Sequence, residues 1–199
     1  APIVIIGTGL SGYTLAKEFR KYDQETPLLF LTSDDGCCYS KPMISTGFTK
    51  NKSAEQLAML DAGAMAEQLK ASIRTMVKVT AIDTVNHEVA IGDEKIPYSK
   101  LVIAWGAECI HAPLQGDGID RVHSINDLID YAAFRRVADG RKKALIIGAG
   151  LIGSEYANDL ANGGFEIEAV DPLSGPLATL LPPQVSQAVQ HAMERELNV

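Results

Sequence analysis

Short apolar runs that end abruptly in glycine mark two places in this chain. Ile3-Val4-Ile5-Ile6 leads into Gly7-Thr8-Gly9-Leu10-Ser11-Gly12, and Ala144-Leu145-Ile146-Ile147 leads into Gly148-Ala149-Gly150-Leu151-Ile152-Gly153. Neither run alternates with polar residues, the pattern of a strand covered on both faces, and each glycine cluster opens a stretch of helical spacing. The first block reads as a strand over residues 2–6, a helix from about Ser11 to Tyr22 and a second strand Leu28-Leu29-Phe30-Leu31-Thr32. That is a βαβ unit. The second block repeats the plan: strand, glycines, a helix to about Ala161, a Gly163-Gly164 stop, and a strand Ile167-Glu168-Ala169-Val170 that ends at Asp171.

Between the blocks the pattern changes. Lys41-Pro42 interrupts any helix in the stretch Tyr39–Ser45, and a helical piece follows around Gly63–Lys70. Strand-like runs at Ile73–Met76, Val79–Asp83, His87–Ile91 and Ile96–Tyr98, around the turn Gly92-Asp93-Glu94, predict a small antiparallel insertion. Leu101-Val102-Ile103-Ala104 returns the chain to the main sheet and stops at Trp105-Gly106-Ala107, where Gly106 permits close approach of backbone to a ligand. An amphipathic helix is expected over about Asn126–Asp139 and a further helical segment over about Pro183–Leu197. The expected fold class is α/β with two Rossmann-like units: residues 1–113 with the insertion at about 73–98, a connection over 114–140, and 141–199. Two strands and a helix leave the second sheet with an uncovered edge, so a chain continuing past Val199 is expected.

Glycines in this strand–turn–helix setting carry a specific chemistry. The first permits the tight bend, the second lets backbone approach a pyrophosphate, and the third brings helix and strand together. First-turn N–H groups and the positive helix end then face the phosphates. Two such fingerprints predict two dinucleotide sites. An acid at the tip of the following strand meets the ribose hydroxyls in such folds. In the first block that acid is Asp34 or Asp35, although Ser33-Asp34-Asp35-Gly36 is equally a turn sequence. In the second it is Asp171, eighteen residues beyond Gly153, where a carboxylate accepts from a ribose diol and repels a 2′-phosphate. That favours NAD over NADP.

Composition narrows the partners. With 18 basic and 25 acidic residues the net charge is -7, which argues against a general nucleic-acid or anionic-membrane binder. No apolar stretch approaches the roughly 20 residues of a membrane-spanning helix, and no signal-peptide pattern opens the chain, so a cytoplasmic location is the default expectation. Cys37, Cys38 and Cys109 are spaced neither as a disulfide framework nor as a zinc site, and reduced thiols are expected. His87, His111, His123 and His191 are scattered without partners at ligand spacing, so no metal site is predicted.

The series Ile5-Ile6-Gly7-Thr8-Gly9-Leu10-Ser11-Gly12-Tyr13, Tyr39-Ser40-Lys41-Pro42, Leu101 to Ala107, and Gly148 to Glu155 resembles the rubredoxin–NAD(+) reductases of alkane-oxidising bacteria, within the FAD-dependent pyridine-nucleotide oxidoreductases. The Ala-Trp-Gly-Ala turn and Ser-Lys-Pro carry the narrower likeness. The resemblance covers the whole chain as about the first half of such an enzyme, and it implies a glutathione-reductase-like fold with FAD and NAD(H) as cofactors. It places Gly7, Thr8, Gly9, Leu10, Ser11 and Gly12 on the FAD pyrophosphate, Ser33 and Asp34 near the adenosine ribose, and Val79 on adenine through its backbone. By the same match Lys41 lies near flavin N5, and Glu155 reaches that region from the nicotinamide side to pair with it. A cation there stabilises electron density on reduced flavin, and a carboxylate partner orients it.

The thiols separate this resemblance from neighbouring types. No Cys-x-x-x-x-Cys pair exists to pass electrons to a disulfide, and Met43-Ile44-Ser45 has no thiol where single-cysteine relatives carry one. The resemblance therefore implies hydride transfer from NADH to FAD and single-electron transfers to rubredoxin. Rubredoxins are usually acidic, and Lys50 and Lys52 are the docking candidates, against the plainer reading of a solvated surface run. A reductase for a [2Fe–2S] ferredoxin, a flavorubredoxin reductase, and an NADH-responsive flavin-binding sensor share nearly every motif.

Overall fold

A computed structural model describes residues 1–199. In chain order the first elements are β1 (Ile3–Ile6), α1 (Leu10–Arg20), β2 (Leu28–Leu31), a 3₁₀ segment (Lys41–Thr46), α2 (Ala54–Leu57), α3 (Ala62–Leu69) and β3 (Ala71–Arg74). There follow β4 (Ala81–Asp83), β5 (Glu88–Ile91), β6 (Glu94–Pro97), β7 (Lys100–Ile103), α4 (Leu128–Ala138), β8 (Lys143–Ile147), α5 (Leu151–Asn162), β9 (Glu166–Val170) and α6 (Pro183–Leu197). The chain forms two compact units, one of residues 1–41 and 58–130, the other of residues 42–57 and 131–199.

In the first unit four parallel strands run in the order β3-β2-β1-β7, and β4-β5-β6 form a separate antiparallel sheet. The unbroken apolar run of β1 is explained by its two covered faces. Ile5, with Leu28 and Phe30 of β2, packs against Tyr13 and Ala16 of α1 and Met65 and Leu69 of α3. Val4 and Ile6, with Leu31, pack against Val89 and Ile96 of the antiparallel sheet and Tyr98 just after it. A strand covered on both sides has no polar positions to spare. Arg20, buried at the end of α1, donates to the carbonyls of Leu69 (Nε, 2.6 Å) and Lys70 (Nη2, 3.1 Å) and so closes the end of α3.

Two expectations are corrected here. Residues 71–74, not 73–76, form a strand, and it pairs in parallel with β2 from Ala71 opposite Leu28 to Arg74 opposite Leu31. It therefore extends the main sheet and leaves three strands, not four runs, to the antiparallel insertion. Lys41-Pro42, expected to interrupt any helix, instead opens the 3₁₀ segment Lys41–Thr46, because Pro42 favours a φ compatible with a first helical turn and needs no N–H partner there.

The second unit pairs β8 with β9 in parallel, Lys143 opposite Glu166 through Ile147 opposite Val170. Residues 42–57 are fixed to α5 by one fully buried carboxylate: Asp159 Oδ2 accepts from Phe48 N at 3.0 Å and Oδ1 from Thr49 N at 2.8 Å. Phe48 then sits edge-on to Tyr131, Phe134 and Phe165, and the Arg135 guanidinium lies 4.4 Å from its ring centre. Tyr131 Oη donates to the Lys52 carbonyl at 2.9 Å. These contacts satisfy the buried polar groups that a loop crossing an apolar surface would otherwise strand. No helix is long and apolar enough to cross a membrane.

Candidate functional site

The two glycine loops have the same geometry. Gly7 and Gly148 adopt φ of +105° and +99°, a region that side chains disfavour. Their N–H groups donate to the last residue of the neighbouring strand, Gly7 N to Leu31 O and Gly148 N to Val170 O, both at 2.8 Å. Gly9 and Gly150 cap α1 and α5 in extended conformation, with no side-chain cap. At the third glycine, a Cβ on Gly12 would collide with the Gly7 carbonyl, and one on Gly153 with the Gly148 carbonyl. At Gly9 and Gly150 a Cβ would meet nothing within 4 Å. The outer glycines are thus demanded by the bend and the helix–strand approach, whereas the middle one keeps a space clear for something outside the fold.

In the first unit that space is part of a cavity of about 530 Å³, within the usual range for small-molecule sites. Gly7, Thr8, Gly9, Leu10 and Ser11 form one wall. The first-turn N–H groups of α1 have no intrahelical acceptor, the arrangement that binds phosphate oxygens. Ser33, Asp34 and Val79 line a second wall, and Trp105, Gly106 and Ala107 a third. Val79 precedes β4 and lies outside any strand, leaving its backbone groups out of a ladder. Trp105, the only tryptophan of the sequence, is 64% exposed.

Asp34 Oδ1 accepts from Thr8 Oγ1 at 2.9 Å, Thr32 Oγ1 at 2.7 Å and Gly36 N at 2.8 Å. The acid thereby ties the tip of β2 to the glycine loop. Asp35 accepts from Cys37 N at 2.9 Å, a turn contact. Lys41, Tyr39, Asn126 and Asp127 line the remaining side of the cavity. Lys41 Nζ donates to Asn126 Oδ1 at 2.6 Å. Burial, and then the nearby Asp127, raises the Tyr39 phenol above its ordinary range. Burial also raises the Asp127 carboxyl, with Asp130 and Asp34 adding to it.

In the second unit Asp171 stands after β9 and is tied to its loop as Asp34 is to the first. Its Oδ2 accepts from Ala149 N at 2.7 Å and its Oδ1 from Leu173 N at 2.8 Å. Glu155, one turn into α5, accepts from Ser45 Oγ at 2.8 Å through Oε2. Lys41 and Glu155 each have a polar partner inside their own unit.

Three residues of these sites escaped the sequence reading. Asn126 stands at an expected helix start, and its Asn-Asp pair is a capping signal with no indication of a lysine partner 85 residues away. Asp159 reads as one more polar residue of an amphipathic helix. Thr32 reads as the end of a strand. All three cysteines are free, and burial with the adjacent Asp35 pushes the Cys37 thiol up to about 11.

Residues 1–199 match the family model described as pyridine nucleotide-disulphide oxidoreductase. The chain is similar to a rubredoxin-NAD(+) reductase of Alcanivorax borkumensis, 52% identical over 94% of this chain and 49% of that protein. It is also similar to one of Acinetobacter baylyi, 45% identical over 97% of this chain and 51% of that protein. Among solved structures, an NADH:rubredoxin oxidoreductase from Clostridium acetobutylicum superposes with a TM-score of 0.83 at 24% identity, over 98% of this chain and 51% of that one. The chain spans about half the length of the curated relatives it matches.

Proposed function

This chain belongs to the pyridine nucleotide-disulphide oxidoreductase family, and we propose that it serves an NADH-dependent reductase in which the first unit holds FAD, the second holds NADH, and the electrons go to rubredoxin. The observation that carries the reading is the repeated loop: two sites of the same geometry, each with open space at the middle glycine and an acid fastened to the loop. Gly7 through Gly12 hold the FAD pyrophosphate, Ser33 and Asp34 its ribose, and Val79 its adenine. Gly106 allows backbone approach from β7. Gly148, Gly150 and Gly153 take the pyrophosphate of NADH, and Asp171 its ribose diol.

A bound flavin supplies the conversion between a two-electron hydride donor and a one-electron carrier. Lys41 contributes positive charge on the cavity wall, where it stabilises negative charge as it develops. Glu155 is the acid assigned to the nicotinamide side. Cys37, Cys38 and Cys109 offer no Cys-x-x-x-x-Cys pair, and Ser45, not a cysteine, stands in the 3₁₀ segment, which supports electron exit to a protein carrier over exchange with a disulfide. The two relatives named as rubredoxin-NAD(+) reductases support rubredoxin as that carrier.

The test is anaerobic reduction of the full-length flavoprotein by NADH, then stopped-flow mixing with oxidised rubredoxin, oxidised ferredoxin or flavorubredoxin. Fast reoxidation by rubredoxin is expected. Fast reoxidation by ferredoxin or flavorubredoxin alone reassigns the acceptor, and slow reoxidation by every carrier favours a sensor.

A further inference from the structure

We infer that Asn126 is a positioning residue for Lys41, holding its ammonium on the cavity wall without cancelling its charge; the inference rests on the assignment of that cavity to FAD. Lys41 Nζ donates to Asn126 Oδ1 at 2.6 Å, and within its unit Lys41 forms no ion pair. The same amide donates through Nδ2 to the Ala107 carbonyl at 2.9 Å. Its orientation is therefore determined. An ammonium only donates and a carbonyl only accepts, so turning the amide over would set N–H against N–H and oxygen against oxygen.

The backbone of Asn126 is fixed as well. Its N–H donates to Asp130 Oδ2 at 2.9 Å, while Asp130 N donates to Asp127 Oδ1 at 2.8 Å, so Asn126 is tied to the capped first turn of α4. Asn126 thus links three parts of the cavity: the α4 cap, the turn after β7 and the lysine. A long exposed side chain loses considerable rotamer freedom when held in one place, so a fixed acceptor is what gives Lys41 a preferred position. A carboxylate in the same place would set an oxygen against the Ala107 carbonyl and would neutralise the charge the cavity presents.

The experiment uses full-length protein. In its FAD-free form, acylation of Lys41 by a succinimidyl ester is followed by peptide mass spectrometry. With FAD bound, flavin reduction at saturating NADH is followed by stopped flow. Asn126→Leu should speed Lys41 labelling and slow flavin reduction, each by about tenfold. In a Lys41→Ala background, Asn126→Leu should change the reduction rate less than about twofold. Asn126→Asp should leave Lys41 labelling no faster than in the wild-type protein, because a carboxylate favours the unreactive ammonium, yet slow flavin reduction, separating position from charge; it also serves if the leucine variant does not fold.

Unchanged labelling in Asn126→Leu, additive effects with Lys41→Ala, or wild-type reduction in Asn126→Asp would overturn the inference. If the wild-type protein binds FAD but NADH does not reduce it, the functional reading fails instead. The labelling result still judges the Asn126–Lys41 contact on its own.

Discussion

Asp171 Oδ2 accepts a hydrogen bond from Ala149 N at 2.7 Å, so the acid at the tip of β9 is fastened to the glycine loop. Its charge and its acceptor role are separable by mutation. Asp171→Asn keeps an oxygen for Ala149 N, gives up the acceptor for Leu173 N and removes the repulsion toward a 2′-phosphate, so the preference for NADH over NADPH should fall by about tenfold. Asp171→Ala removes the loop contact too, and NADH binding should weaken by about tenfold. Titration calorimetry with both nucleotides checks this, and unchanged selectivity in both variants refutes the ribose role.

The middle and last glycines of the first loop should respond oppositely to the same small change. A Cβ on Gly9 meets nothing within 4 Å and its φ is -68°, so Gly9→Ala should fold normally and bind FAD at least about tenfold more weakly. A Cβ on Gly12 collides with the Gly7 carbonyl, so Gly12→Ala should lower stability by about 1–3 kcal/mol or more. Urea unfolding and flavin fluorescence measure the two effects. Equal behaviour of the two variants would show that the open space at Gly9 does not serve a ligand.

Removing the Asp159 carboxylate should cost about 2–5 kcal/mol, because it leaves two N–H groups, those of Phe48 and Thr49, without acceptors. Asp159→Asn should also destabilise, since its NH₂ would face a backbone N–H. Urea unfolding measures the loss, and limited proteolysis should show residues 42–57 cut first. A change below about 0.5 kcal/mol, the usual range for a surface position, would contradict the clamp.

Asp127 gives a pH signature. Its folded-state carboxyl is raised by burial above its unfolded value, so the folded protein binds more protons in that window. Stability from this group is therefore lost as pH rises through the window and regained as pH falls. Asp127→Asn retains a capping oxygen for Asp130 N and carries no charge. The variant should match or exceed wild-type stability at pH 7, with the difference shrinking on acidification toward the ordinary carboxylate range. A stability difference independent of pH would remove the burial argument.

The parts of the fold readable from sequence were those with local signatures. The apolar run Ile3–Ile6 and the glycines after it determine a strand, a bend and a helix within a dozen residues, and the same holds from Ala144 to Gly153. The strand at Ala71–Arg74 was misplaced because Ser72 and Arg74 dilute its apolar character; pairing with β2, more than forty residues earlier in the chain, decides its register. The acids at the strand tips were legible for the same local reason as the loops. Asn126 and Asp159 were not. Each acts on a partner far away in sequence, and nothing near Asn126 or Asp159 encodes the lysine or the backbone amides it meets.

The clamp of residues 42–57 onto α5 has a topological consequence. Those residues belong to the second unit, while the stretches on either side of them, 1–41 and 58–130, belong to the first. The polypeptide therefore passes from one unit to the other three times. No single cut yields two self-sufficient pieces: a fragment ending at Asp130 would carry Phe48 away from Asp159, and one starting at Tyr131 would lack the two amides that carboxylate accepts from. Each unit is thus assembled from two separate stretches of chain, and neither glycine loop sits in a unit that one continuous segment encodes.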